Sequence, residues 1–289
     1  MSLCAEAGRC QYELLICLLA LKRIKYIVFI VLLALTACEV IKEEDRLIPL
    51  PQPTASERVH VLIEYTGFRC VNCPTAAELA HQLQQLYAGQ LIVVAMHPPT
   101  NHFTQGLYDY TCPEADVYYT YMGGTATTSF PKGNIDLQAV DNDYLLDPSV
   151  WATQLEQVMK DTLCPYLSCT AEADTTLRTL SIVTKYSLNG DAQVALWLIE
   201  DSISGVQAMP DGSVNMDYTH RHVLRGAANN APWGVPAVGQ KMKTEMPLPT
   251  SCNPQQCSIV ALLLDKNDYH ILQAYETKLT FFSVEPALP

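Results

Sequence analysis

The chain has 289 residues, of which 49% are hydrophobic and 17% are charged, and its formal net charge is −12. This composition excludes a disordered, collagen-like or coiled-coil chain. The acidic balance gives no electrostatic basis for binding nucleic acid, which requires a basic surface. Eleven cysteines are many for a reduced cytosolic protein, so their number favours an oxidising compartment.

Residues 1–37 are predicted to be a signal region. Basic residues at positions 22–25 precede an apolar run over 27–37 that is too short to span a bilayer. The run ends in Leu35-Thr36-Ala37-Cys38, which resembles a bacterial lipobox, so Cys38 is the predicted lipidation site and mature N-terminus. An ordinary signal peptide or a short membrane anchor is the alternative. Residues 1–20 fit a signal poorly, which suggests a mis-assigned start.

Residues 38–57 are predicted to be the lipidated tether. They combine an acidic stretch with the proline-bearing segment 49–53, a pattern typical of a solvated, extended linker. Lys42-Glu43-Glu44 also resembles the short acidic signal that routes some lipoproteins to the outer face of the outer membrane. A charged linker without such a signal is the alternative.

Residues 58–163 are predicted to form an α/β thioredoxin-like domain. An apolar, β-branched strand is expected over 59–65, an amphipathic helix over 76–87 and a second buried strand over 91–96. The motif Cys70-Val-Asn-Cys73-Pro74 lies between the first strand and the helix. Strand, C-x-x-C, helix and strand in this order are the thioredoxin-like signature.

The C-x-x-C motif has the chemistry of a thiol–disulfide site. A helix N-terminus favours a thiolate at Cys70, and Cys73, one turn on, can resolve a mixed disulfide. Thioredoxins place a buried acid six residues before the first motif cysteine, where this chain has Glu64, and a cis-proline later in the chain, for which Pro131 is the candidate. We therefore expect Cys70 to be the more exposed thiol and Glu64 to be desolvated with a raised pKa. A purely structural Cys70–Cys73 disulfide is the alternative, and no second ligand pair completes a zinc site.

Cys112 has no cysteine close to it in sequence. It precedes a short helix predicted over 113–121, which begins with a proline. Two interpretations stay open: a free, buried thiol, or a thiol that exchanges with Cys70 or Cys73.

Residues 164–289 are predicted to form an all-β, sandwich-like domain after a closing helix over 150–163. Strands are expected over 179–187, 192–200, 259–265 and 278–284, and Asn189-Gly190 is a hairpin signal. Cys164–Cys169 and Cys252–Cys257 are predicted local disulfides, each with four residues between its cysteines. A zinc site made of these four thiolates is the alternative.

His220 and His222 would project from the same side of a strand, an arrangement that can bind metal. No third ligand is evident, so a hydrogen-bonded structural patch is favoured. The sequence predicts neither a metal site nor a cofactor, and motifs for hydrolases are absent.

Together the lipobox, the segment 64–74, the Phe130-Pro131 turn and the segments 220–225 and 233–234 resemble the outer-membrane-protein-28 family of exported lipoproteins. The resemblance implies a thioredoxin-like domain followed by a β-rich domain, and residence in the outer membrane through a lipid anchor. A non-catalytic surface lipoprotein that binds an extracellular protein or another surface partner is favoured, with the aromatic segment 118–121 and Trp233 as candidate contacts. An envelope thiol–disulfide oxidoreductase that uses Cys70 and Cys73 is the alternative.

Overall fold

The computed structural model describes residues 57–108, 110–187 and 191–281, and these residues belong to one compact unit. The predicted signal region, Cys38, nearly all of the tether and the Asn189-Gly190 turn lie outside the described residues. Within the described part of the chain, no helix has both the length and the hydropathy needed to cross a membrane.

The first portion of the chain alternates strands and helices. Its elements are β1 (His60–Tyr65), α1 (Cys73–Leu86), β2 (Leu91–Met96), α2 (Pro113–Tyr121), β3 (Lys132–Ile135) and α3 (Pro148–Val158). Strand β1 pairs in parallel with β2 and antiparallel with β3. Each of the three helices has a proline in its first turn, where the missing N–H costs no hydrogen bond.

Both faces of the β1–β2 pair are covered, which explains why these strands are apolar along their whole length. One face, with Leu62 and Val93, packs on α1 and α3 through Leu83 and Trp151. The opposite face, with Ile63 and its neighbours, belongs to the largest hydrophobic core. Glu64, near the end of β1, and the C-x-x-C motif that follows the strand are therefore attached to a layer that is packed on both faces.

The second portion is built almost entirely of strands. They are β4 (Leu167–Asp174), β5 (Thr179–Tyr186), β6 (Ala192–Glu200), β7 (Ile203–Ala208), β8 (Val214–His220), β9 (Val223–Ala227), β10 (Val235–Pro236), β11 (Lys241–Pro247), β12 (Cys257–Asp265) and β13 (Ile271–Phe281). Short 3-10 turns at 228–230 and 254–256 interrupt them. Strands β4, β5, β6 and β12 contribute alternate side chains to a second core.

Among the described residues, eleven strands form one mixed sheet in the order β11-β5-β4-β13-β12-β6-β9-β2-β1-β3, with β10 paired to β6. The two portions meet where Ala95 N donates a hydrogen bond to His222 O, at 2.9 Å, and β9 runs parallel to β2. Strands from both sides of the predicted domain boundary, between residues 163 and 164, belong to this one sheet. The boundary itself stays a prediction. The described residues are rich in strands and contain few helices, as the sequence analysis expects for residues 164–289.

Strands β7 and β8 form a separate antiparallel hairpin outside the large sheet. This β7–β8 hairpin packs on the loop that follows β1, where Ala208 N donates to Phe68 O at 2.8 Å. Its position matters because that loop carries the C-x-x-C motif.

Candidate functional site

The C-x-x-C motif occupies the turn between β1 and α1. Asn72 precedes the helix, Cys73 is its first residue and Pro74 lies in its first turn. A disulfide joins Cys70 to Cys73, with the two Cα atoms 5.4 Å apart. The helix N-terminus is therefore directed at the disulfide, as the motif predicts.

The disulfide is covered by the β7–β8 hairpin. Cys70 and Cys73 are each only 1% exposed. Gln207 Nε2 donates to Cys70 O at 2.9 Å and to Gly67 O at 3.4 Å. The expectation that Cys70 is the exposed member of the pair is wrong, because a hairpin more than 130 residues further along the chain lies over it.

Pro131 lies beside the motif, and the Phe130–Pro131 peptide bond is cis, as the resemblance to thioredoxins implies. An open, largely apolar groove runs between Pro74, Pro131 and Met209 at the tip of the hairpin. Phe130 itself is buried against Tyr119.

Glu64 is buried on β1, and its side chain points to the same cavity as Cys73. Its Oε1 atom has no hydrogen-bond partner among the described residues. Desolvation by burial raises the pKa of Glu64 from 4.5 to about 8. The expected burial and pKa direction of this acid are confirmed.

His220 and His222 do not share a strand face. His220 is the last residue of β8, is buried and has Nε2 3.2 Å from Val206 O. His222 lies in the link to β9 with a left-handed backbone, φ 53°. The predicted placement on one strand is wrong because β8 ends at His220 and the chain turns before β9 begins, although both residues line one cavity.

His97 is a buried histidine that the sequence analysis does not select. It follows β2 directly, is 1% exposed and neither ring nitrogen has a hydrogen-bond partner among the described residues. Its ring centroid lies 5.6 Å from that of Tyr110 and 5.9 Å from that of His220. Its position after a buried parallel strand next to β1 is the one signal that could have identified it.

Cys252 and Cys257 lie beside a buried ion pair. Arg225 Nε is 3.4 Å from Cys252 Sγ and 3.3 Å from Glu200 Oε2. In the thiol form, the pKa of Cys252 is lowered, first by a hydrogen bond from Cys257 and then by the Arg225 guanidinium. The pKa of Cys257 is raised by its hydrogen bond to Cys252 and by burial. The sulfur atoms are close neighbours, and the predicted disulfide between them stays a prediction.

Cys164 and Cys169 have different neighbours in this structure. Gln273 Nε2 is 3.2 Å from Cys164 Sγ, whereas Cys169 is buried on β4, where desolvation raises its pKa to about 11. Their predicted disulfide also stays a prediction. Cys112 is buried in the core that contains Cys70 and Cys73, and desolvation raises its pKa to about 12, which fits the interpretation as a buried thiol.

Among the described residues, one cluster of potential ligands brings its atoms within 4.8 Å of one another: Asp265, Asp268 and His270. His270 Nδ1 lies 2.6 Å from Asp268 Oδ1, and Asp265 accepts hydrogen bonds from Asn267. These hydrogen bonds within the turn explain why the three side chains lie close together.

Four aromatic residues form a partly exposed group, here called the aromatic patch: Tyr121, Tyr144, Trp233 and Tyr269. Tyr121 contacts the other three rings, with its centroid 4.7 Å from that of Trp233, and Trp233 in turn lies 4.7 Å from Tyr269. Tyr121 is 40% exposed, whereas the neighbouring Tyr118 is fully buried. Half of the predicted aromatic segment is thus core and half is surface.

A family model described as Outer membrane protein Omp28 matches residues 115–280, more than half of the chain. No curated protein matches the chain. A crystal structure of a protein from Agrobacterium tumefaciens has 14% sequence identity and a TM-score of 0.50, and the match covers 77% of this chain and 95% of that chain. A domain of the outer membrane lipoprotein Omp28 from Porphyromonas gingivalis has 22% identity and a TM-score of 0.31, over 41% of this chain and 90% of that chain.

Proposed function

The chain belongs to the Omp28 family of outer membrane proteins, and we propose that it is a surface-displayed lipoprotein with a non-catalytic binding role. Residence in the outer membrane follows from the family. The lipid on Cys38, display on the cell surface and the binding role are parts of the proposal.

The observation that carries the non-catalytic role is the cover over the disulfide. A thiol–disulfide oxidoreductase needs its attacking cysteine in reach of a partner disulfide. Here Cys70 is 1% exposed and its carbonyl is held by Gln207. The bond then acts as a link between the end of β1 and the start of α1.

The aromatic patch supports a binding role. Aromatic side chains supply large contact areas at low conformational cost and are enriched in binding surfaces. Tyr121, Trp233 and Tyr269 come from three distant segments that the fold brings together. An extracellular protein or another component of the cell surface is the partner that we propose for them.

A thioredoxin-like origin of the first portion is part of the same proposal. The parallel β1–β2 pair, the helix that begins at Cys73, the buried Glu64 and the cis bond before Pro131 support it. Such folds host many functions, so the fold does not by itself imply turnover.

An envelope thiol–disulfide oxidoreductase is the second candidate, and one observation favours it. Glu64, with its pKa near 8, lines the same cavity as Cys73 and could exchange a proton with it near neutral pH. This function would require the β7–β8 hairpin to move away from Cys70.

Insulin reduction and alkylation after mild reduction test the choice. We expect no turnover above a Cys70→Ser control and slow alkylation of Cys70 in the native protein, compared with rapid alkylation in urea. Turnover that is lost in Cys70→Ser would establish the oxidoreductase instead.

Fractionation of a Cys38→Ala variant tests the anchor: the variant should leave the outer membrane fraction, and unchanged fractionation would exclude Cys38 as the attachment.

A further inference from the structure

An open pocket of about 380 Å³ lies beside the aromatic patch. Tyr144 belongs to both the patch and the pocket, and Tyr121 Oη donates a hydrogen bond to the backbone oxygen of Asp268, at 3.2 Å. Patch and pocket are therefore adjacent parts of one surface. The volume is within the range of pockets that bind small ligands, about 300–1,000 Å³. The pocket is lined by Leu137, Gln138, Ala139, Tyr144, Asp268 and His270.

The walls of the pocket are held in place by buried hydrogen bonds. Asn134 is fully buried, and its Nδ2 donates to Gln138 O at 2.8 Å and to Tyr144 O at 2.9 Å. Ile271 N donates to Asp136 O at 2.8 Å, which joins the two segments that carry the walls. A pocket that is already formed spares a ligand the cost of ordering its binding groups.

The two segments that form the walls are acidic. Segment 137–144 contains two aspartates and neither lysine nor arginine, and segment 265–270 contains two aspartates and one lysine. That lysine, Lys266, is paired with Asp191, with 2.7 Å between Nζ and Oδ1. Carboxylates and the faces of aromatic rings both attract cations, so the charge of this surface is complementary to a cationic group.

Two side chains of the pocket have the chemistry that a cation requires. Burial by itself would raise the pKa of Asp268, but hydrogen bonds from His270 hold it below its ordinary value, so the carboxylate is ionised at neutral pH. The rings of Tyr144 and Tyr121 meet at 64° with centroids 5.7 Å apart. An edge-to-face pair of this kind covers only one face of one ring. An ionised carboxylate and an aromatic ring thus border the same pocket.

We propose that this pocket binds the guanidinium group of an arginine side chain on the extracellular protein partner, with the group stacked on Tyr144 and paired with Asp268. The inference rests on the binding role proposed above and names the chemistry of the partner. Arginine suits the site better than lysine, because a guanidinium is planar, stacks on aromatic rings and can bond a carboxylate through two N–H groups.

A titration of the full-length protein in detergent tests the inference. The probe is the peptide acetyl-Gly-Arg-Gly-amide, with calorimetry for affinity and backbone NMR shifts of Tyr144 and Asp268 for location. The same peptide with citrulline in place of arginine keeps the planar shape and loses the charge, and a lysine peptide keeps the charge and loses the planar group.

We expect the wild type to bind the arginine peptide about tenfold more tightly than the citrulline peptide and about threefold more tightly than the lysine peptide. Raising the NaCl concentration from about 50 mM to about 500 mM should weaken the binding, because salt screens exposed charges.

Two variants locate the binding groups. Asp268→Asn should weaken binding of the arginine peptide about tenfold, because a charge-assisted hydrogen bond is lost, and leave the citrulline peptide unchanged. Asp217→Asn, at an exposed acid of β8, is its control. Tyr144→Leu should weaken binding about threefold. Tyr275→Leu, at an exposed tyrosine of β13, is its control.

Equal affinities of the wild type for the arginine and citrulline peptides would overturn the inference, and this comparison requires no variant to fold. Binding of a neutral oligosaccharide such as maltohexaose at Tyr144, with no binding of the arginine peptide, would overturn it too but would retain the binding role of the aromatic patch. Binding of neither would also remove the support that the patch gives to that role, so the two failures are distinguishable.

Discussion

The Cys70/Cys73 and Cys252/Cys257 pairs differ in the charges around them. The first lies near a carboxyl group, Glu64, that burial keeps protonated at neutral pH. The second contacts Arg225, which is itself paired with buried Glu200. The short distance in sequence predicts that the two sulfur atoms of each pair can come into contact. The charges of neighbouring side chains decide which of the two thiols ionises.

The largest effect is expected from removing the charge at the second pair. Arg225→Met should destabilise the protein by about 3–5 kcal/mol, because Glu200 is left as a buried, uncompensated charge. In the reduced protein the pKa of Cys252 should also rise. Urea unfolding and thiolate absorbance against pH measure the two effects. The double variant Arg225→Met/Glu200→Gln should recover much of the stability, and equal losses in both variants would contradict the role of the ion pair.

A smaller effect is expected from the acid at the first pair. The pKa of Glu64 is about 8 in the folded chain and 4.5 is its ordinary value, so between these pH values only the folded state holds the proton. The free energy of unfolding should therefore fall as pH rises through this window, by about 1.4 kcal/mol per pH unit. Glu64→Gln should remove this slope, which unfolding at pH 5, 6 and 7 measures. An unchanged slope would show that Glu64 is ionised in the fold.

The smallest effect concerns the cover over the first pair. A Cβ atom at Gly205 would lie 1.8 Å from Tyr110 Oη, so Gly205→Val should push the β7–β8 hairpin outward. Overpacking of this kind costs about 1–3 kcal/mol, which corresponds to a fivefold to hundredfold faster reduction of Cys70–Cys73 if reduction requires opening. Dithiothreitol kinetics measure the rate. Ser204→Val, which adds its volume at an exposed neighbouring position, is the control, and equal rates in the two variants would exclude the hairpin as the barrier.

Local sequence patterns predicted the elements that surround the site. Strand β2, helix α2 and strand β6 have the predicted bounds, and the helix predicted over 150–163 is shorter, at Pro148–Val158. These elements depend on runs of apolar residues and on prolines at helix starts, which act over a few residues. Glu64 was identified on a different ground, the resemblance to thioredoxins, which place a buried acid six residues before the first motif cysteine.

The parts that were missed depend on contacts between distant segments. Gln207 reaches Cys70 across 137 positions of sequence, and nothing near Cys70 records that a hairpin will cover it. His97 is likewise distinguished only by what surrounds it: Glu64 from the neighbouring strand, and Tyr110 and His220 from later segments. Hydrophobic periodicity carries no information on such pairings, which is why burial of the disulfide was unexpected.

The late position of the hairpin in the chain also bears on when the disulfide can form. Synthesis proceeds from the N-terminus, so Cys70 and Cys73 are made before β7, β8 and β9 exist. Until β9 has been synthesised, the edge of β2 lacks its neighbouring strand. Until β7 and β8 have been synthesised, the β7–β8 hairpin cannot cover the two thiols. The order of the chain thus provides an interval in which oxidising enzymes can reach the cysteines. A disulfide that forms in this interval is buried when β7 and β8 fold over it.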